Sequence, residues 1–168
     1  MVRIAIVSLI FLISPISVGQ TLNFELFKFG DVSYYSSEAE IREFLGKPVK
    51  VYEPGYDCGF LSDAEEGDHY KTLDYGFIKF TGNKNEQFLM EFVHIENNTR
   101  ATLYYGEHKL TSNLNIVQLA IIFGIPINKE LKESPNTTII VFSANGDDGV
   151  QLVLKYGKLS QIHYWSPC

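Results

Sequence analysis

Tryptophan occurs once, methionine twice and cysteine twice in a chain of 168 residues. So few cysteines exclude a scaffold held together by many disulfides, and no Cys-x-x-Cys is present to suggest redox catalysis or a zinc knuckle. Basic residues are outnumbered: 14 Lys and Arg stand against 20 Asp and Glu, a formal net charge of −6. An acidic chain repels phosphate backbones and anionic lipid, so neither general nucleic-acid binding nor adhesion to such a membrane is expected. No apolar run reaches the roughly 20 residues that span a bilayer core. Ile116 to Ile127 comes nearest and is broken by Gln118, Gly124 and Pro126. Catalytic signatures are missing too. There is no Gly-x-Gly-x-x-Gly and no phosphate loop, and no Gly-x-Ser-x-Gly elbow presents a nucleophile. His69, His94, His108 and His163 form neither a His-x-x-x-His nor a His-Glu-x-x-His pair, so no metal is expected. No cofactor is implied, and the chain reads as a binding protein and not an enzyme.

What is present begins with a leader. Arg3 precedes a run from Ile4 to Ile13 that only Ser8 interrupts, then Ser14-Pro15 and the small-residue site Ser17-Val18-Gly19. These are the parts of a secretory signal peptide. Residues 1–19 are therefore expected to be removed near Gly19-Gln20, leaving a periplasmic or secreted protein with no stable membrane anchor. Only Arg3 is lost among the charges, so the mature net charge would fall from −6 to −7. Outside the cytosol, Cys58 and Cys168 are expected to form a disulfide. A bridge closing so long a loop stabilises by ~4–5 kcal/mol in the chain-entropy model. It would tie the C-terminus to the first half.

One pattern occurs twice. Phe29-Gly30-Asp31 is followed, after a helical stretch, by Leu45-Gly46-Lys47-Pro48-Val49. Tyr105-Gly106-Glu107 is followed, after a similar stretch, by Phe123-Gly124-Ile125-Pro126-Ile127. In the first copy Ser36-Ser37-Glu38 offers an N-cap, Ile41, Phe44 and Leu45 share one helix face, and Gly46 with Pro48 ends the helix. In the second, Thr111-Ser112-Asn113 is expected to cap a helix from Leu114 to Phe123. Strands are expected at Leu22 to Phe29, Val49 to Tyr52, Tyr70 to Thr81, Gln87 to Ile95 and Thr99 to Leu110. Others follow at Thr137 to Ser143, Val150 to Tyr156 and Lys158 to Trp165. Lys129 to Asn136 reads as a polar connection, and Asn145-Gly146-Asp147-Asp148-Gly149 as a hairpin turn. The expected fold is α+β: two tandem helix-plus-antiparallel-strand repeats, 20–98 and 99–168, forming one continuous sheet with the helices on one face.

Glu53 to Asp68 forms an acidic, glycine-containing loop around Cys58. Asp63, Glu65, Glu66 and Asp68 sit among Tyr56, Phe60 and Tyr70, and these seven residues are the expected contacts for a cationic protein partner. Charge steers such an encounter, tyrosine supplies rigid contact area, and a disulfide would hold the loop in shape. The same acids could ligate calcium, although their spacing is not that of an EF-hand. The adjacent pairs Tyr34-Tyr35, Tyr104-Tyr105 and Tyr164-Trp165 should each place one ring outward, because strand neighbours point to opposite faces.

A duplicated helix followed by antiparallel strands, behind a leader, resembles the beta-lactamase-inhibitor-protein-like architecture. It is also similar to small periplasmic immunity proteins that neutralise toxins. The resemblance runs from Leu22 to Trp165 in element order. It rests on the FGD…LGKPV and YGE…FGIPI pairs and on the acidic loop. It implies an exported inhibitor that covers the active site of a toxin or hydrolase. The readings from other classes are a small secreted hydrolase acting on glycans with a carboxylate pair, or a structural envelope protein.

Overall fold

The computed structural model describes residues 22–55, 70–95, 102–144 and 147–167. The leader, Cys58, Cys168 and six of the seven expected contacts (all but Tyr70) lie outside the described residues.

Short elements dominate, and the residues explain their shortness. Leu22 to Phe29 is not one strand: the Asn23 side chain accepts from the Glu25 N–H at 2.9 Å and nucleates a 3-10 turn over Phe24–Leu26. Only Phe27–Phe29 is extended, as β1. Gly30, at φ +59°, turns the chain into β2 (Val32–Ser33), and β3 (Tyr35–Ser36) follows. Helix α1 (Glu38–Leu45) opens with a capping box, the Glu40 N–H donating to Ser37 Oγ and the Ser37 N–H to Glu40 Oε2 at 2.8 Å. It ends at Gly46, as the sequence predicts. Ile41 is fully buried, whereas Phe44 lies half-exposed over Gly30.

Strand β4 (Lys50–Tyr52) is short. The strand expected over Tyr70 to Thr81 is instead a hairpin, β5 (Lys71–Asp74) and β6 (Ile78–Gly82), because Gly76 takes φ +84° and Asp74 Oδ1 accepts the Gly76 N–H at 2.7 Å. Strand β7 (Phe88–His94) follows. Thr99 to Leu110 likewise folds back at Gly106 into β8 (Leu103–Tyr105) and β9 (His108–Leu110). Asn115, not Thr111 to Asn113, caps helix α2 (Ile116–Phe123), its Oδ1 accepting two backbone N–H groups. The connection after it contains a third helix, α3 (Lys129–Glu133), started by Asn128. Strands β10 (Thr137–Phe142), β11 (Gly149–Lys155) and β12 (Lys158–Trp165) complete the chain.

The fold is mixed α and β with mostly antiparallel sheets. The strands form two sheets, not the single one expected. Four make a small sheet in the order β2-β1-β8-β9; a large one runs β10-β11-β12-β7-β6-β5-β4, with β3 also pairing β7. The physical reason is that β1 and β8 pair with each other instead of with the large sheet, and their inward rings Phe27 and Tyr105 pack on Phe123 of α2, making a separate layer that the hairpins at Gly30 and Gly106 widen with β2 and β9. Aliphatic side chains decide which face of the large sheet is inside. Ile78, Val93, Ile162, Leu152 and Ile139 are cross-strand neighbours in one row, and all are buried. They share one core with Ile41 of α1 and with Leu119, Ile122 and Phe123 of α2. The Phe123 ring packs 4.7 Å from Tyr105 and 6.1 Å from Phe27, so α2 lies on the small sheet.

Candidate functional site

On the other face of the large sheet, the same alternation sets out a polar and aromatic row. Successive register partners are Lys50, Asp74, Lys79, Phe92, His163, Gln151 and Ile140, one from each of seven strands. All are partly or well exposed. The row is cross-linked by its own chemistry. Lys79 Nζ pairs with Asp74 at 3.4 Å and donates to Tyr52 Oη at 3.3 Å. Burial works against the ammonium, but these partners together raise its pKa. Lys50 Nζ sits 4.8 Å over the Tyr52 ring, and Lys79 Nζ 5.8 Å over Phe92. The Phe92 ring meets His163 edge-on at 4.8 Å. Desolvation lowers the His163 pKa, and Lys79 and His94 add to that against the pull of Glu91. One register step away, Phe142 and Trp165 meet edge-on at 5.3 Å. Rigid rings held half-exposed by strands are strong contact anchors.

A second feature lies where the β10–β11 hairpin approaches the N-terminal turn. A cleft of about 1040 Å³ is lined there by Phe24, Tyr35, Glu25, Ser143, Asp147 and Asp148, among others. Asp148 accepts from Ser143 Oγ at 2.6 Å and from Tyr164 Oη at 3.5 Å. Burial, then Asp148 and Tyr164, push the Tyr35 hydroxyl up to about 12, so it stays a neutral donor.

The expected contact residues fare unequally. Tyr56, Phe60, Asp63, Glu65, Glu66 and Asp68 lie outside the described residues, as does the Cys58–Cys168 pair. Tyr70 is described, and its hydroxyl donates to Glu86 at 2.9 Å, beside the start of β5. The aromatic pairs behave as strand alternation predicts in two cases: Tyr34 is buried beside a half-exposed Tyr35, and Tyr105 beside an exposed Tyr104. Tyr164 and Trp165 are both half-exposed. The sequence reading missed Lys79, Phe92 and Gln151. The alternation that places them was legible, but a bulge in the β6–β7 pairing at Lys79/Phe80 shifts the phase between Met90 and Phe92. Asp147 and Asp148, expected as turn residues before a calcium-ligating reading, line the cleft. Among the described residues no group of three His, Cys, Asp or Glu side chains is arranged to hold a metal ion. No helix among them is long and apolar enough to cross a membrane.

Compared with known protein families, curated proteins and solved structures, the chain matches none.

Proposed function

We propose that this chain is an exported inhibitor of the immunity-protein kind, which docks a basic toxin or hydrolase on the open face of its large sheet and silences it by covering the active site. The observation that carries the reading is the seven-strand row from Lys50 to Ile140. One face of the sheet is a continuous aliphatic core, and the other displays half-exposed rings fixed by neighbouring charges. Inhibition by occlusion requires shape, rigid aromatic anchors and a steering field, and the net charge of −6 provides the field for a cationic partner. The acidic loop belongs to the same reading. Glu65, Glu66 and Asp68 would supply charge, with Tyr56, Phe60 and Tyr70 as contact area. A Cys58–Cys168 bridge would hold it, in a periplasmic or secreted protein whose leader has been removed.

Two tandem units would give such a surface from one small design. The strand orders support this. The small sheet is centred on the antiparallel pair β1–β8, and in the large one the pair β7–β12 is flanked by β6 and β5 on one side and by β11 and β10 on the other, with β4 beyond β5 lacking a counterpart. Lys28 faces Ser33 in the first hairpin as Tyr104 faces Lys109 in the second, both shifted by the 76 positions that separate Gly30 from Gly106.

The test is capture of partner from host extract by the exported protein, compared with Phe92→Ala and with a variant reversed in charge at Glu65, Glu66 and Asp68. The reading expects a basic protein whose capture falls about tenfold with Phe92→Ala. The charge-reversed variant should bind more weakly and with less salt dependence. Capture of an acidic protein, or equal capture by all three forms, would remove the proposal.

A further inference from the structure

An open sheet ends in two edge strands, each with a row of unpaired backbone N–H and C=O groups, and proteins normally guard such edges. Among the described residues three of the four edges are guarded. In the large sheet β4 has three residues, follows Pro48, and carries Lys50 folded over Tyr52. In the small sheet β2 has only two residues, and β9 carries His108 and Lys109. The fourth edge, β10, has none of these devices. Thr137–Phe142 is six residues long, reads Thr-Thr-Ile-Ile-Val-Phe, and no charged residue occurs from Ser134 to Asn145. Segments of this kind, β-branched, uncharged and free of proline and glycine, are the ones that pair with other strands. The hydrogen bonds show which groups are open. The Ser143 N–H donates to the Asp148 C=O on the β11 side, whereas the Phe142 C=O accepts from the Leu22 N–H at 3.3 Å on the outer side. Alternation along the strand then turns the N–H and C=O of Thr138 and Ile140 outward. Among the described residues these groups have no partner.

We infer that β10 pairs antiparallel with β10 of a second copy of this chain, across a twofold axis that passes beside Ile139. Thr138 then faces Ile140 of the other copy, and the two exchange backbone hydrogen bonds on each side of the axis, so every open group is met. Leu22 closes the edge at Phe142 and confines the pairing to this segment. Three observations favour a second copy over a foreign strand. The first is charge. Copies of a chain with a net charge of −6 repel one another, and on this edge they meet with no charge on either side. The second is the core. Ile139 ends the buried row that runs from Ile78 through Leu152, and Ile139 of the copy extends it. The third is shape. Phe142, 52% exposed, shares the outer face of the strand with Thr138, and in this register it lies diagonal to Thr138 of the copy. A cleft of about 540 Å³ opens there, lined by Asn136, Thr138 and Val153 among others, and it receives the ring. One edge thus carries both the ring and its cleft, as an isologous contact requires. The two large sheets join side by side and the open face of each stays uncovered, so the inference does not rest on the proposed function.

The experiment is analytical ultracentrifugation of the whole mature chain over a wide concentration range. A reversible dimer is expected, of modest affinity because so short an edge makes a small interface. Thr138→Lys puts a charge from each copy on the edge and should weaken the dimer at least about tenfold, with the circular dichroism of the fold unchanged. Ile139→Cys tests the register. In a non-hydrogen-bonded antiparallel pair the Cα atoms stand about 4.5 Å apart, within disulfide range. That variant should form an intermolecular disulfide under mild oxidation. Thr138→Cys, which does not face itself in this register, should not, nor should the wild type, which controls for Cys58 and Cys168. A dimer that Thr138→Lys leaves intact, or a link from Thr138→Cys in preference to Ile139→Cys, would overturn the inference. So would a monomer at every concentration; if its capture of a host partner also falls with Thr138→Lys, the edge belongs to a strand of another protein.

Discussion

Gly30 and Gly106 show what single residues decide in this fold. Both turn a hairpin at nearly the same positive φ, +59° and +57°. A side chain at Gly30 would collide with the ring of Phe44, whereas one at Gly106 meets nothing within 4 Å. Gly106→Ala should therefore lose only the backbone cost, about 1 kcal/mol, and Gly30→Ala about 2 kcal/mol or more, read from urea unfolding. Equal losses would show that Phe44 swings away freely. Ser37→Ala removes the acceptor of the Glu40 N–H and should cost about 1 kcal/mol in the same assay. His163 gives the sequence a pH dependence. Burial lowers its pKa below the ordinary 6.5, so the folded state favours the neutral ring. The stability linked to it is complete above the unfolded value and is lost as pH falls through the lowered folded value. His163→Gln should flatten the acid limb of a stability-against-pH curve in that window; an unchanged limb would assign the titration elsewhere.

At the scale of elements, legibility in the sequence followed the strength of the local signal. α1 was readable to its last residue because a Ser-x-x-Glu box opens it and Gly46 closes it. β10 to β12 were readable because β-branched runs flank an Asn-Gly turn. Two long strand readings failed for one reason. Gly76 and Gly106 each follow a strand-favouring tyrosine and precede further strand residues, and nothing local distinguishes a glycine that stays extended from one that turns at positive φ. α3 was missed because Lys129 to Glu133 has one apolar residue, Leu131, half-buried against the core, and a single position shows no periodicity. The open face was only partly readable, since a β-bulge between β6 and β7 changes which of Glu91 and Phe92 points outward, and no residue type announces it. The central pair β7–β12 carries the large sheet. Ile162, 5% exposed and opposite Val93, should cost about 3 kcal/mol when changed to Ala. A loss under 1 kcal/mol would mean that the two halves of the sheet do not depend on that junction.

At the scale of the whole molecule, two sheets share one core, and the faces divide their work. Aliphatic rows hold the sheets together, while rings and charges are left on the outer face of the larger one. The acidic loop and the leader set the expected address and charge, and the open face sets where a partner would sit. Site-directed photo-crosslinking tests this arrangement most directly. A benzoylphenylalanine is placed at Gln151 on the open face, and separately at Tyr156, an exposed turn residue away from the row. In host extract the account predicts a cross-link from position 151 to a basic protein that high salt weakens, and none from position 156. Cross-linking from position 156 alone, or to the same protein from both positions, would contradict it.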